Sequence, residues 1–281
     1  MYAYLTLDVD PDFTGKSRAW EKAKEGIHRC LGLFKEFSLQ ESITWFVNNA
    51  ELEFTSRRSN HLSKLCDGEI ALHLHLDRPE WSGNYYCLPE REEDIYAAIK
   101  KEKEKLESWT TENLGREVIC FRSGDLLTSE KLFAALNRLG IKIDSSMPSQ
   151  FDWSLKEIGR RILCQMPPSV KLAVSRILVN KHAYPTLPLG VGPFMIGRVL
   201  EMPIHIYAGG DNLKKGIKWL KKRTAEQVKR GVRELVIYWH PHEILGKEKI
   251  FSDYIEYLFE RGFNFRKMGD YLGNSHTRKS K

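Results

Sequence analysis

Seven short apolar runs recur along the chain, separated by amphipathic or polar stretches, and most of them end in a residue capable of chemistry. Residues 2–7, 42–47, 69–76, 118–121, 141–144, 200–207 and 234–239 read as strands. Between them, residues 16–37 carry Trp20, Ala23, Ile27, Leu31 and Phe34 at helical spacing, and residues 90–113 carry Ile95, Ala98, Ile99, Leu106 and Trp109 on one face. Residues 60–66 read as a short helix stopped by Gly68. Residues 129–139 read as a helix with Ser129 as N-cap and Gly140 at its end. Residues 212–230 form a strongly basic helical segment and residues 252–261 a last helix, before a short piece at 263–265. Strands alternating with helices at this spacing predict parallel β/α units, an α/β fold. In such folds the carboxyl ends of the strands carry the chemistry. Asp8, Asp10, His73, His75, Arg122, Asp144 and His240 all fall there.

The rhythm breaks at residues 150–197, a stretch bordered and interrupted by prolines with a basic segment at 169–181. We read it as an insertion over the mouth of a single domain spanning residues 1–281. Its Val170, Leu172, Val174, Ile177 and Leu178 are expected to cover the core rather than face a membrane or a second copy. Residues 274–281 read as a solvated tail.

The formal charge of +7 suggests anionic partners such as acidic headgroups or sugar phosphates. No nucleic-acid-binding motif sharpens this into a nucleic-acid reading. The five cysteines are scattered and odd in number, which fits reduced thiols. With no signal-peptide pattern and no apolar run of about 18 residues, a cytoplasmic protein without a spanning helix is expected.

Asp8 and Asp10 lie two apart, so on a strand their carboxylates share a face. Two such groups repel unless a positive charge lies near them. His73, His75 and Asp77 repeat the same spacing on the third strand. Imidazole nitrogen together with carboxylate oxygen suits zinc or a similar first-row divalent ion.

Taken in order, these pieces resemble the NodB-like polysaccharide deacetylases of the carbohydrate esterase family 4 type, over nearly the whole chain. TLDVDPD (6–12) resembles the family's first motif and GEIALHLHLD (68–77) its second. FRSGDLLTSEKLFAALNRLGI (121–141) resembles the third, DSS (144–146) the fourth, and VIYWHPHEI (236–244) the fifth. The resemblance implies a distorted seven-stranded (β/α) barrel. It also implies a metal-dependent hydrolase that removes an N-acetyl or O-acetyl group from a sugar. In that reading Asp8 is the general base, Asp10 a metal ligand, His73 a second ligand, Arg122 the residue that orients Asp8, and His240 the acid for the leaving group. Zinc is the first expectation for the metal, with cobalt, nickel or manganese as the others.

The chain departs from the family pattern. Val9 separates the two aspartates, which matches a DxD variant. Four residues after His73 stands Asp77 where a second histidine is usual, so the third ligand is Asp77 or His75. We favour His75, because a neutral nitrogen leaves the site less anionic. Ser123-Gly124 stands where proline is common. Asp144, or Glu201 on the sixth strand, is expected to pair with His240. Trp81, Trp153, Tyr184 and Trp239 are candidates for stacking on sugar, with core packing favoured for Trp239.

An amidohydrolase-type barrel also uses a His-x-His pair, but near its first strand rather than its third. The main alternative is a glycan-binding member of the same fold with weak or no turnover. The expected substrate is an N-acetylated sugar, lipid- or nucleotide-linked, in surface polysaccharide synthesis. The basic helices would then meet a diphosphate or an acidic membrane face.

Overall fold

The computed structural model describes residues 1–10, 19–48, 62–76, 88–149 and 187–275. Its first strand, β1 (Tyr2–Val9), is followed by helix α1 (Ala19–Glu36), β2 (Ile43–Val47) and β3 (Glu69–Leu74). Next come α2 (Glu92–Leu114), β4 (Cys120–Ser123), α3 (Glu130–Arg138) and β5 (Ile143–Asp144). The second half runs β6 (Phe194–Ile196), β7 (Val199–Glu201), β8 (Ile204–Tyr207), α4 (Gly210–Lys214), α5 (Gly216–Lys229) and β9 (Glu234–Trp239). Helix α6 (Glu248–Glu260), β10 (Asn264–Phe265) and α7 (Asp270–Ser275) close it.

The strands form one curled sheet in the order β6-β7-β5-β4-β3-β2-β1-β9-β8, with β10 also on β1. Every pairing is parallel except β6 with β7. The segment after β5 reaches across to β8. Pro148 bridges Ile204, Ser149 N donates to Ile204 O at 2.6 Å, and Ile204 N donates to Met147 O at 2.8 Å. The parallel β/α units expected from the strand rhythm are present, and the sheet curls as the resemblance implies, with ten strands among the described residues where seven were expected.

The period of two along each strand divides the side chains between two cores. Ala3, Leu5, Leu7 and Val9 of β1, with Ile43, Trp45 and Val47 of β2, join Ile27 and Phe34 of α1 in the larger core. Tyr4, Phe46, Ala71, Cys120, Val236 and Met268 form a second cluster on the concave face. Each fully buried aliphatic or aromatic side chain contributes roughly 1.5–3 kcal/mol. Residues further along the concave face therefore stand above an apolar floor: Thr6 and Asp8 above Tyr4, His73 above Ala71, and Arg122 above Cys120.

Several local expectations hold. Ser129 Oγ accepts from Leu132 N at 3.1 Å and caps α3, and Gly140 follows that helix with φ 71°. Trp239 is buried between Phe34 and Phe251. Other expectations need correction. Residues 200–207 are not one strand. Pro203 offers no N–H, and the run changes partner around it: β7 pairs with β5, and β8 pairs with β9. The basic segment 212–230 begins at Gly210 and divides at Gly216, between α4 and α5. Residues 62–65 are a 3₁₀ turn rather than an α-helix. β3 stops at Leu74, so His75 lies just past the strand.

Residues 150–186 of the expected insertion, Asp77, Trp81, Trp153 and Tyr184 lie outside the described residues. The described end of that insertion contributes β6, which lies antiparallel to β7. Cys30, Cys66 and Cys120 are free thiols. Among the described residues no helix is long and apolar enough to cross a membrane.

Candidate metal and catalytic site

The polar upper layer of the concave face is organised by one arginine. Arg122, fully buried on β4, donates from Nη1 to Asp8 Oδ1 at 2.6 Å. Nη2 donates to Thr6 Oγ1 and to Ser145 Oγ, each at 3.0 Å, and Nε donates to Ser145 O at 2.8 Å. The two hydroxyls pass the connection on. Thr6 Oγ1 donates to Ile237 O at 3.1 Å, and Ser145 Oγ donates to Met202 O at 2.8 Å. One guanidinium thus links β1, β4 and the segment after β5 directly, and β9 and the β7–β8 junction through hydroxyls. Its plane rests on the Phe46 ring, 4.1 Å from the centroid. A rigid planar fork suits this multi-acceptor position; a lysine would not.

Asp10, just past the end of β1 with its N–H turned back to Asp8 O at 3.0 Å, gathers the imidazoles. Its Oδ2 lies 2.8 Å from His73 Nε2 and 3.2 Å from His75 Nε2, and Asn48 Nδ2 donates to its Oδ1. One ligand atom from each of Asp10, His73 and His75 falls within 4.8 Å of the others. His73 Nδ1 lies 3.0 Å from the Arg122 carbonyl oxygen, which only accepts. Nδ1 therefore carries a hydrogen. A neutral ring then points a lone pair from Nε2 at a carboxylate, so a cation belongs there: a proton on the ring or a metal ion. Burial alone would raise the Asp10 carboxyl, but the charges and hydrogen bonds of His73 and His75 outweigh it and hold it well below the ordinary range. The donor set of one carboxylate and two imidazoles fits a divalent first-row metal.

The backbone after β4 is shaped around His75. Asp125 and Leu126 adopt φ of 49° and 53°, a region L residues avoid. That turn sends Leu126 into the apolar cluster and brings Asp125 Oδ2 within 3.8 Å of His75 Nδ1. Gly124 is required at its position, because a methyl group there would overlap the His75 ring. The departure from the family's proline thus has a local reason.

Leu7 pairs with Trp239, so Asp8 and His240 leave neighbouring strands side by side. His240 does not meet Asp144 or Glu201. Its Nδ1 lies 3.3 Å from Glu243 Oε2, within the Pro241–Ile244 turn. The cause is strand order: β5 lies between β4 and β7, while the neighbours of β9 are β1 and β8. Asp144 and Glu201 face each other instead, as register partners on β5 and β7.

Both members of that pair are fully buried. Asp144 Oδ1 accepts from Ser146 Oγ at 2.7 Å and Glu201 Oε1 accepts from Met147 N at 3.0 Å. Asp144 Oδ2 and Glu201 Oε2 have no ordinary donor among the described residues. Burial raises the Asp144 carboxyl. Burial and the Asp144 charge raise Glu201 further, so Glu201 keeps a proton and offers it to Asp144. This makes Asp144 a structural partner of Glu201, and not a group acting on His240.

The pair carries a stability prediction. The folded value of Glu201 lies well above 4.5, so the native chain holds a proton that the unfolded chain releases. Stability from this group is complete below about pH 4.5 and is lost as pH rises towards the folded value. Glu201→Gln donates an amide hydrogen to Asp144 at every pH. The variant is expected to gain about 1 kcal/mol or more over the parent at pH 8 relative to pH 5, read by denaturant melts at both pH values. An equal difference at the two pH values would refute the shared proton.

Sequence reasoning passed over Thr6, Asn48, Asp125 and Glu243. Thr6 lies two before Asp8, and Asn48 directly follows β2, so the period of two and the strand-end rule point to both.

No protein-family model and no curated protein sequence matches the chain. Solved structures do match. A Mycobacterium smegmatis protein, provisionally described as a polysaccharide deacetylase, has a TM-score of 0.62 at 16% identity, covering 100% of this chain and 91% of that one. The 4-alpha-glucanotransferase of Thermococcus litoralis has a TM-score of 0.58 at 11% identity, covering 97% of this chain and 38% of that one. A carbohydrate esterase family 4 pseudoenzyme from Bacillus anthracis has a TM-score of 0.52 at 10% identity, covering 96% and 64%. Over nearly its full length the chain therefore shares its curled α/β-barrel fold with all three, two of which are described as polysaccharide deacetylase or carbohydrate esterase family 4 proteins.

Proposed function

We propose that the protein is a metal-dependent carbohydrate deacetylase that hydrolyses an N-acetyl or O-acetyl group on a sugar. The observation that carries this reading is the juxtaposition of two units: the Asp10–His73–His75 cluster and the Asp8–Arg122 ion pair two residues away at the end of β1. Asp10, His73 and His75 would hold the metal, zinc by donor type, with cobalt, nickel or manganese as substitutes. When bound there, a divalent ion lowers the pKa of a water molecule and polarises an acetyl carbonyl.

The remaining work belongs to the chain. Arg122 engages only one oxygen of Asp8, which leaves Oδ2 to receive a proton from the attacking water. The guanidinium holds that carboxylate aimed at the site. His240, on the neighbouring strand, is held as an imidazolium and gives its proton to the departing amine. The apolar floor below excludes bulk water from the underside of the site.

A lipid- or nucleotide-linked N-acetylsugar is the proposed substrate, as in surface polysaccharide synthesis at the cytoplasmic face of a membrane. What supports an acidic partner is the outer side of α5 with the end of α4. There Lys214, Lys218, Lys222 and Lys229 are exposed at helical spacing within one arc.

The test is acetate release from free, nucleotide-linked and lipid-linked N-acetylsugars, with metal content measured on the same sample. The expected result is acetate from a linked form, none after chelation, and recovery on adding zinc. Metal and sugar binding without acetate would make the protein a glycan-binding member of the fold. Absence of bound metal, with no response to added metal, would sink the reading altogether.

A further inference from the structure

We propose that Glu243 is a positioning residue for His240: it fixes the orientation of the ring and supplies the negative charge opposite it. The catalytic consequence rests on reading His240 as the leaving-group acid; the contact itself does not.

The geometry is built for that task. Pro241 starts a 3₁₀ turn directly after β9, and the turn brings Glu243 back onto the residue it follows. Glu243 Oε2 accepts from His240 N at 2.8 Å and lies 3.3 Å from His240 Nδ1. Glu243 Oε1 accepts from Tyr207 OH and from Gly210 N, each at 2.6 Å. A carboxylate has about four acceptor directions, and here all four are taken. The carboxylate therefore cannot turn away from the imidazole without breaking two contacts on the far side. Gly209 makes room for it, because a methyl group at that position would overlap the carboxylate. With Nδ1 engaged, Nε2 has no hydrogen-bond partner among the described residues and is the ring atom available to a substrate.

The groups around the ring come from several elements. The charges of Asp8 on β1 and Asp10 just past it reach the ring, and Tyr207 of β8 and Tyr238 of β9 lie 6.1 and 6.0 Å from it between centroids. His242 stacks on His240 from the same turn, 5.5 Å between centroids. Burial works against a charged ring. The Glu243 charge and hydrogen bond, followed by the charges of Asp8 and Asp10, override it and raise the ring to about 9. Reciprocally, burial would raise the Glu243 carboxyl, but His240 and the Tyr207 hydroxyl lower it. A partner this close in sequence keeps the ring oriented whatever occupies the rest of the mouth.

The test uses the full chain with ring-labelled histidine, the His240 signal being assigned by its loss in His240→Gln. Glu243→Gln keeps the shape of the side chain and one acceptor but removes the charge. The His240 titration midpoint is expected to fall by about one unit or more. The alkaline limb of the acetate-release profile is expected to fall with it, so that activity drops about threefold or more near pH 8.5 and hardly at all near pH 6. A purely structural role would lower activity alike at every pH and leave the midpoint in place. If Glu243→Gln does not fold, Gly209→Ala displaces the carboxylate without deleting it and should shift the midpoint in the same direction. An unmoved midpoint in whichever variant folds overturns the proposal. Should the protein release no acetate from any substrate, the deacetylase reading fails while the titration still decides the role of Glu243.

Discussion

Arg122→Met is expected to lower the melting temperature by about 10 °C or more and to abolish acetate release. The side chain is completely buried and its ion pair with Asp8 measures 2.6 Å. Removing one partner of a buried pair leaves the other charge without compensation, at a cost of about 3–5 kcal/mol. For a chain of this size each kcal/mol corresponds to about 2–4 °C. Further losses follow, because Thr6 Oγ1, Ser145 Oγ and Ser145 O lose their donor together. Those hydroxyls also hold the backbone at Ile237 and Met202, so the damage spreads around the curled sheet. Arg122→Lys separates charge from geometry. An ammonium can pair with Asp8 but cannot serve Thr6 and Ser145 at once, so an intermediate melting temperature with much reduced turnover is expected. Calorimetry of the three proteins checks this. A Met variant melting within about 3 °C of the parent would show that Arg122 does not organise the fold.

The residues of this network show what a reader of the sequence can and cannot reach. Strand ends were legible, because the strands that carry the site are buried on both sides, read as apolar runs, and change character where the site begins. Asp8, Asp10, His73, His75, Arg122 and His240 all sit at that change. Which of them touch was not legible where contact depends on strand order. Asp144 and Glu201 are polar, buried and at strand ends, and His240 directly follows one, yet the strand order sets the pair on β5 and β7 rather than on a neighbour of β9. Pro203 was the available clue. A proline inside an apolar run marks a strand that changes partner, and that change is what places Glu201 beside Asp144. Glu243 had a clue of another kind. Glutamate three residues after a turn-starting position is a capping arrangement, and it returns a carboxylate to the residue that opens the turn. The Asp125–Leu126 turn had none, since nothing in either residue type announces a positive φ.

Asp8→Asn is expected to lower acetate release by about 10²–10⁴-fold while the protein still binds one metal ion per chain. The asparagine oxygen can accept the Arg122 Nη1 hydrogen in place of Asp8 Oδ1, so the local arrangement has a way to persist. What the amide cannot do is take up a proton from water at neutral pH. The metal-holding groups are untouched: Asp10 keeps both imidazoles, and Asn48 stays on its other oxygen. Some stability is lost as well, because the Arg122 charge is then buried opposite a neutral group. Activity and metal content are the paired readouts, measured below the melting transition of the variant. Asp10→Asn is the complementary case, expected to lose metal and activity together. If Asp8→Asn kept more than about a tenth of the parent rate, another group would be taking the proton, and Asp8 would be a structural counter-ion of Arg122 rather than a base.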